Sequence, residues 1–194
     1  MVEHIGHIHH ARPDLVDLLM DLREGQGNDA SLEDVVVYAN PAARWETKFW
    51  TVSAWSELAD MLIEGHSVHV VFAGSPQDIP YIRQITNHMK SQAITAAGEL
   101  NLAEAVALLD RANVYVGVDS GPMHIAAFTG TPVVALFGPT EPEKVGPYGQ
   151  GHKVITLEDL DCLGCRKRQC SDRKCLEKLS TNPVYTAILS QLGL

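Results

Sequence analysis

Short apolar runs alternate with segments of helical periodicity along the chain from about residue 34 onward. Four of these runs, at residues 34–39, 68–73, 114–118 and 132–137, are rich in valine and are followed by Asn, Gly or Asp. Continuous apolar runs of this length are typical of parallel strands that are buried on both faces of a sheet. The pattern therefore predicts four buried strands, and a shorter apolar stretch lies at residues 93–97.

Amphipathic helices are predicted between the strands. In residues 54–64, an apolar face formed by Trp55, Leu58 and Leu62 indicates a helix, and Gly65 is expected to end it as a left-handed cap. A second helix is predicted over residues 78–90.

Two further helices follow along the chain. Asn101, with Glu104 three residues later, forms a variant of the capping box, so a helix is predicted to begin there. Residues 122–129 are predicted to form a short helix that is closed by Gly130. The buried stripe of the helix that begins at Asn101 is expected to comprise Leu102, Ala105, Val106 and Leu109.

Strands that are separated by helices of about ten residues pair in parallel through right-handed crossovers. The sequence therefore predicts an α/β, Rossmann-like fold, an open parallel sheet with helices on both faces. In such a sheet, ligands bind in the crevice outside the carboxyl ends of the strands. Candidate site residues are therefore sought directly after each strand.

Two regions stand outside this alternation. Residues 1–30 carry His4, His7, His9 and His10, an acidic helix candidate and a glycine-rich linker, and they are predicted to be a connector. Histidines in such an end can chelate metal without a biological role. Residues 31–194 are predicted to form one domain, including a cysteine-rich segment at 157–181 and a C-terminal helix that Asn182 caps and Pro183 opens.

Composition limits the classes of function. The 194 residues include 24 Asp and Glu against 15 Lys and Arg, a formal net charge of −9. This argues against nucleic acid or an anionic membrane surface as the main partner, because both are usually met by clustered Lys and Arg. No apolar run approaches the ~20 residues that cross a bilayer, and the first 30 residues lack the pattern of a secretion signal. We expect a soluble, cytoplasmic protein that holds any phosphate by local charge.

The turn after the third predicted strand joins it to a helix through small residues. Ser120 and Gly121 leave room for an anion to approach the free N–H groups and positive dipole of the helix start. Asp119 suits a sugar hydroxyl, and the His124 imidazole can donate to a phosphate oxygen. The alternative is that Asp119 only caps the helix and His124 is a core residue.

The turn after the first strand brings two cations and two tryptophans together. Arg44 or Lys48 there would neutralise phosphate in an otherwise acidic protein. Alternatively, both cations are solvated or paired with Glu46, and the neighbouring tryptophans only pack. No G-x-G-x-x-G follows the first strand, and no G-x-x-x-x-G-K-[ST] or G-x-S-x-G occurs, which argues against ordinary NAD dehydrogenases, P-loop proteins and hydrolases with a serine elbow.

The four cysteines follow the spacing C-x2-C-x4-C-x4-C, at Cys162, Cys165, Cys170 and Cys175. The leading C-x2-C is compatible with structural zinc. The later spacings lack a second C-x2-C, and the interleaved Arg and Lys residues can simply offset thiolate charge. The pattern favours reduced thiols or a labile disulfide over structural zinc.

Several of these segments resemble one known family. Residues 116–127 and 130–140 closely resemble the donor-site signature of glycosyltransferase family 9, the lipopolysaccharide heptosyltransferases. Residues 42–50 are similar to the family's small-residue turn that ends in Lys and Trp, and residues 146–149 to its Gly-Pro-Tyr-Gly segment. Many members also have a terminal cysteine cluster like this one. The resemblance covers roughly residues 34–193.

The resemblance implies a GT-B glycosyltransferase that moves heptose or a related sugar from a nucleotide diphosphate, in particular ADP-heptose, to the lipopolysaccharide core with inversion. It implies no catalytic metal and no cofactor besides the nucleotide-sugar substrate. Lys48 would hold the donor phosphates, where negative charge develops as the nucleoside diphosphate departs. The other implied donor-site residues are Asp119, Ser120, Gly121 and His124 for the diphosphate and sugar, and Leu100, Gly138 and Thr140 along the nucleotide. Arg44 is a weaker candidate, from its charge alone.

The sequence departs from this family in two ways. Family members are usually about twice as long as this chain, with an N-terminal domain that binds the acceptor and supplies the carboxylate base. This chain therefore resembles the donor-binding half, and peripheral membrane association would belong to the full-length enzyme. Relatives often place a ribose-binding Glu in the turn at residues 74–78, where Gln77 or Asp78 is the candidate here.

Two other functions remain open from the sequence. The first is a non-catalytic module that binds a sugar nucleotide and acts as a sensor or partner subunit. The second is a zinc-stabilised interaction module, in which the sheet is only a scaffold for the cysteine-rich segment.

Overall fold

A computed structural model of the chain describes residues 35–66 and 68–194. The predicted connector at residues 1–30, with its histidines and helix candidate, lies outside the described residues. The start of the predicted domain, at residues 31–34, lies outside them as well.

The described strands form one parallel sheet in the order β3-β2-β1-β4-β5-β6. The four buried strands predicted from apolar runs are confirmed. The strands are β1 (Val36–Asn40), β2 (His69–Phe72), β3 (Ile94–Thr95), β4 (Val114–Val118), β5 (Val133–Phe137) and β6 (Lys153–Thr156). The two edge strands, β3 and β6, were not predicted: β3 is only two residues long, and β6 is half exposed.

The α-helices of the described chain are α1 (Val52–His66), α2 (Ile79–His88), α3 (Leu102–Arg111), α4 (Gly121–Thr129), α5 (Pro142–Val145), α6 (Lys174–Glu177) and α7 (Thr181–Leu192). Two single 3₁₀ turns, Glu46–Lys48 and Pro76–Asp78, follow β1 and β2. The helices predicted between the strands are confirmed, and Gly130 closes α4 in a left-handed conformation, with φ 86°.

Three local predictions were wrong. Gly65 lies inside α1 and is not in the left-handed region, because the helix continues to His66. The cap of α7 is Ser180 rather than Asn182, so the helix begins earlier than predicted. Leu102 is 71% exposed although α3 has the predicted capping box, and the fully buried residues of α3 are Leu108 and Leu109. Leu102 is the first residue of the helix and has no core layer beneath it.

Helices cover both faces of the sheet, as the Rossmann-like prediction requires. Successive strand side chains point to opposite faces, so Val37 packs in one core and Tyr38 in the other. The first core contains apolar residues of α1, α2 and α7, and the second contains those of α3 and α4.

The strand order reverses between β1 and β4. From β1 the chain runs outward through β2 and β3, and from β4 it runs outward in the other direction through β5 and β6. Asn40 pairs in register with Gly117, so the turns after β1 and β4 lie side by side at the carboxyl edge. A crevice at such a reversal is where open α/β sheets bind ligands.

Candidate functional site

The start of α4 is open to ligands. Ser120 is its N-cap residue, but the Ser120 hydroxyl makes no capping bond and donates instead to Asn40 Oδ1, at 3.0 Å. A Cβ placed on Gly121 would find nothing within 4 Å. The first-turn N–H groups of a helix have no partner within the helix. The backbone donors here are therefore available to an anion, and the positive end of the helix dipole favours one.

Asn40 keeps the Ser120 hydroxyl away from the helix. Its side chain is 3% exposed, and its Nδ2 donates to the carbonyl of Ala73 at the end of β2, at 2.9 Å. Asn40 thereby ties the ends of β1, β2 and β4 together. From the sequence, Asn40 was predicted only to end a strand. A polar residue that closes a buried apolar strand was the available signal.

Lys48 reaches the start of α4 from the other side of the crevice. The 3₁₀ turn Glu46–Lys48 directs its ammonium to Asp119, with Nζ 2.6 Å from Oδ2 and 3.2 Å from the backbone oxygen. The side chains of Lys48 and Asp119 are 15% and 9% exposed. Lys48 is therefore not paired with Glu46, and the Asp119 carboxylate makes no capping bond. The Lys48 ammonium thus contacts the residue directly before the N-cap of α4.

The other residues of the turn after β1 have separate roles. Arg44 is exposed at the mouth of the crevice. The Lys48 ammonium lies 4.7 Å from the ring centroid of Trp45, a cation–π contact. Trp50 is buried and donates to the carbonyl of Leu179, so it belongs to the core.

Two cavities flank the start of α4. The larger has a volume of about 720 Å³, is bounded on the α4 side by residues 120–122, and has an apolar wall at Leu100, Leu102 and Ala105. The smaller has a volume of about 220 Å³ and is lined by both partners of the ion pair. Its lining includes Trp45, Lys48, Asp119, His124, Thr140 and Arg166. Residues at the helix start are divided between the two linings, with 120–122 on the larger cavity and Asp119 and His124 on the smaller one.

Gln77 and Asp78, the candidates for ribose binding, both line the larger cavity. Asp78 Oδ2 already accepts the N–H and the hydroxyl of Ser75, at 2.8 and 2.7 Å, in a capping box. Gln77 is exposed and has no hydrogen-bond partner among the described residues. The amide of Gln77 is therefore the more available of the two.

Three predicted residues lie at different places around the cavities. Leu100 lines the larger cavity, and Thr140 lines the smaller one. Gly138 is on the lining of neither, and a Cβ there would stand 2.8 Å from Cys175 Sγ. Gly138 thus gives room for close packing of the cysteine-rich segment against the end of β5.

His124 is exposed on the lining of the smaller cavity and is not a core residue. Three charged residues on the same lining, Glu141, Lys144 and Arg166, were not predicted from the sequence. Glu141 and Lys144 form a salt bridge at 2.5 Å. No periodicity or spacing could have indicated their position.

The cysteines are free thiols. Cys162, Cys165 and Cys170 are exposed, whereas Cys175 is buried. Across residues 35–66 and 68–194, no group of three or more His, Cys, Asp or Glu side chains is arranged to hold a metal ion. Burial is the main cause that raises the pKa of the Cys175 thiol.

This difference in burial predicts an order of thiol reactivity. The thiolate is the nucleophile, so a buried thiol with a raised pKa should react last. With limiting iodoacetamide near neutral pH, we expect alkylation of Cys162, Cys165 and Cys170 well before Cys175, as read by peptide mass spectrometry. After denaturation, all four should react at similar rates. Equal reactivity in the native protein would contradict the packing at Cys175.

None of the helices in the described part of the chain is long and apolar enough to cross a membrane.

Comparisons with known proteins bear on this site. The model of glycosyltransferase family 9 (heptosyltransferase) matches residues 12–176. Lipopolysaccharide heptosyltransferase 3 of Escherichia coli is 36% identical over 141 residues, which are 67% of this chain and 41% of that protein. Two solved structures, a glycosyl transferase family 9 protein of Veillonella parvula and ADP-heptose LPS heptosyltransferase II of Escherichia coli, are 25% identical, with TM-scores of 0.75 and 0.73.

The matches cover most of this chain but only part of each relative. Each solved structure is matched over 91% of this chain but only 51% of its own length. The chain spans 34–40% of the length of three further curated heptosyltransferases.

Proposed function

Because the chain belongs to glycosyltransferase family 9, we propose that residues 31–194 form the donor-binding domain of a heptosyltransferase. The enzyme transfers heptose from a nucleotide diphosphate, ADP-heptose in particular, to the lipopolysaccharide core with inversion. Curated relatives are named lipopolysaccharide heptosyltransferases, which supports the acceptor class. Transfer takes place in the cytoplasm, with peripheral membrane association of the whole enzyme.

One observation carries the proposal: the open start of α4 lines the larger of two cavities, and the Lys48 ammonium and Asp119, directly before that helix, line the smaller one. A nucleotide sugar has three parts in the same order, a nucleoside, a diphosphate and a sugar. The nucleoside occupies the larger cavity, the diphosphate lies at the start of α4, and the sugar enters the smaller cavity.

The larger cavity suits a nucleoside. Its apolar wall at Leu100, Leu102 and Ala105 can pack against a base, which gives the exposed Leu102 side chain a function. The amide of Gln77 can both donate to and accept from ribose hydroxyls. Arg44 at the mouth can approach the phosphates from the solvent side.

The start of α4 suits the leaving group. Negative charge builds up on the nucleoside diphosphate as the bond to the sugar breaks. Fixed backbone donors at Gly121 and the Lys48 ammonium stabilise that charge without reorganising at the moment of reaction. Asp119 and His124, on the sugar side of the helix start, are available for the sugar hydroxyls and a phosphate oxygen.

A second candidate function, binding without turnover, is favoured by the state of the carboxylates. Three carboxylates that line the two cavities next to α4 already have partners: Asp78 accepts from Ser75, Asp119 pairs with Lys48, and Glu141 pairs with Lys144. None of these three is therefore assigned as a general base. The base and the acceptor site are proposed to lie in the part of the relatives that this chain does not match.

Calorimetric titration of the chain with ADP-heptose, ADP and UDP tests the donor site. We expect ADP-heptose and ADP to bind, with ADP-heptose tighter because of its sugar contacts. Absence of binding by all three would exclude both functions. Mixing the chain with an N-terminal half from a relative and measuring heptose transfer then distinguishes the enzyme from the non-catalytic module.

Gly121→Ala tests the open approach to the helix. The new methyl group would project into empty space, so the fold should be as stable as before. It would also stand where a phosphate must approach, so we expect about a tenfold loss of ADP affinity, roughly 1.4 kcal/mol. Calorimetry and thermal unfolding measure the two effects. Unchanged ADP affinity would show that the phosphates do not approach Gly121.

A further inference from the structure

The cysteine-rich segment, residues 157–181, is fixed to the turn after β1. The Thr47 hydroxyl donates to the carbonyl of Lys167 at 2.9 Å. The Arg173 guanidinium donates to the carbonyl of Glu46 at 3.0 Å. Both bonds involve the 3₁₀ turn that carries Lys48, so the segment is held next to the ion pair.

The same segment is also fixed to the turn after β5. The N–H groups of Gly164 and Arg166 donate to the carbonyls of Gly138 and Pro139, at 2.9 and 2.6 Å. The segment therefore bridges the two turns that frame the smaller cavity, and Arg166 lies on its lining.

Arg166 has an unusual backbone conformation. Its φ is 57°, in the left-handed region, and among the described non-glycine residues only Asp159 shares this property. Short polar residues such as Asp tolerate the left-handed region, whereas a long side chain with a Cβ is disfavoured there. Backbone conformations of this kind often occur at functional sites. The conformation therefore makes Arg166 a candidate for a role in binding.

Among the cations that line the smaller cavity, Arg166 differs in its pairing. Within residues 35–66 and 68–194, Lys48 is paired with Asp119 and Lys144 with Glu141, whereas Arg166 has no carboxylate partner. The lining therefore carries an excess positive charge at Arg166.

Thr140, another residue of the same lining, has a buried hydroxyl that makes no hydrogen bond within the described part of the chain. Thr140 is 7% exposed, and its Oγ1 is buried without a hydrogen-bond partner in the described structure. A buried hydroxyl without a partner costs free energy that a ligand acceptor would recover. The lining thus offers the Arg166 guanidinium directly, and the buried Thr140 hydroxyl would reach a ligand after rotation of its side chain.

We infer that Arg166 and Thr140 form a second phosphate contact, which holds the phosphoryl group next to the sugar. This deepens the proposed function and rests on it. The planar guanidinium matches phosphate oxygens with two parallel hydrogen bonds. Lys48 and Arg166 both line the smaller cavity, so the two cations hold the diphosphate from that side and the start of α4 holds it from the side of the larger cavity. The cysteine-rich segment thereby becomes part of the donor site.

The test compares inorganic pyrophosphate, ADP and AMP as probes of the full chain, with Arg166→Gln as the variant. We expect Arg166→Gln to weaken pyrophosphate and ADP binding about tenfold and to leave AMP affinity within twofold, because AMP lacks the second phosphoryl group. Arg168→Gln is the matched control. Arg168 lies over the Trp45 ring, 4.8 Å from its centroid, and is not on the cavity lining. It should change each affinity by less than twofold.

Arg166→Asn separates ligand binding from a structural role. Asparagine tolerates the left-handed region, so this variant should keep or raise the midpoint of thermal unfolding. It should nevertheless lose ADP affinity as Arg166→Gln does. Loss of both affinity and stability would indicate a structural role and overturn the inference.

The outcomes distinguish the inference from the proposed function. If wild-type protein binds pyrophosphate in an Arg166-dependent way but no nucleotide, the phosphate contact stands and the nucleotide-sugar function falls. If ADP binds but Arg166→Gln leaves both ADP and pyrophosphate affinities unchanged, the inference falls alone. If wild-type protein binds none of the probes, both are wrong.

Discussion

Replacing Lys48 with alanine is expected to weaken ADP binding by one to two orders of magnitude. The Lys48 ammonium is bonded to Asp119, directly before the N-cap of α4, and is expected to contact a phosphate bound there. A charge-assisted hydrogen bond between an ammonium and a phosphate contributes roughly 1–3 kcal/mol. The substitution also leaves the largely buried Asp119 carboxylate without its partner, so the site gains an uncompensated negative charge where a phosphate must bind. Isothermal titration calorimetry with ADP measures the loss.

Asp119→Asn provides the matched control for Lys48→Ala. It breaks the same ion pair from the other side and leaves the ammonium in place, so ADP should bind at least as tightly as to the wild type. The additional affinity of ADP-heptose over ADP should shrink, because Asp119 is assigned to the sugar. The double variant Lys48→Ala with Asp119→Asn should recover part of the lost ADP affinity. Equal ADP affinities in wild type and Lys48→Ala would remove Lys48 from the site.

The fold was predictable to the extent that strands are buried on both faces. The central strands β1, β2, β4 and β5 are continuous apolar runs because helices cover them on each side. The edge strands carry no such signal: β3 has two residues, and Lys153 and Val154 of β6 are exposed. Gly65 failed as a cap because α1 continues one residue further, to His66, whose Nε2 lies 2.9 Å from the Tyr185 hydroxyl of α7.

The candidate site was predictable at the level of turns but not of contacts. Ligands bind at the carboxyl ends of parallel strands, so the turns that contain Lys48 and Asp119 could be singled out, and the family resemblance gave Lys48 its expected role. Their ion pair joins residues that are 71 positions apart in the chain. It depends on the 3₁₀ turn after β1, and no local sequence pattern predicts that turn. Arg166 and the buried hydroxyl of Thr140 were beyond reach for the same reason, since the cysteine-rich segment has no periodicity that fixes where it packs.

Gly117, in the buried strand β4, is closely packed beside the candidate site. Gly117 of β4 is two residues after Tyr115, whose side chain lies on the same face of the strand. A Cβ on Gly117 would overlap the Tyr115 hydroxyl and would stand 2.8 Å from the backbone oxygen of Asn40. The Tyr115 ring is fully buried, and its hydroxyl lies 3.4 Å from the Ser120 hydroxyl. The nearest atoms thus belong to a fully buried ring and to strand backbone.

Gly117→Ala should therefore destabilise the fold more than Lys48→Ala, Gly121→Ala or either Arg166 variant. Overpacking a well-filled core costs about 1–3 kcal/mol and occasionally more, and we expect the upper end because one neighbour is strand backbone. Urea unfolding followed by far-UV circular dichroism measures the change in the free energy of unfolding. Gly121→Ala is the matched control, since it adds the same methyl group where nothing lies within 4 Å. If both variants unfold at the same urea concentration, Tyr115 is not packed over Gly117 as described. If only Gly117→Ala is destabilised, the close packing of the Tyr115 ring and the Asn40 backbone against Gly117 is supported.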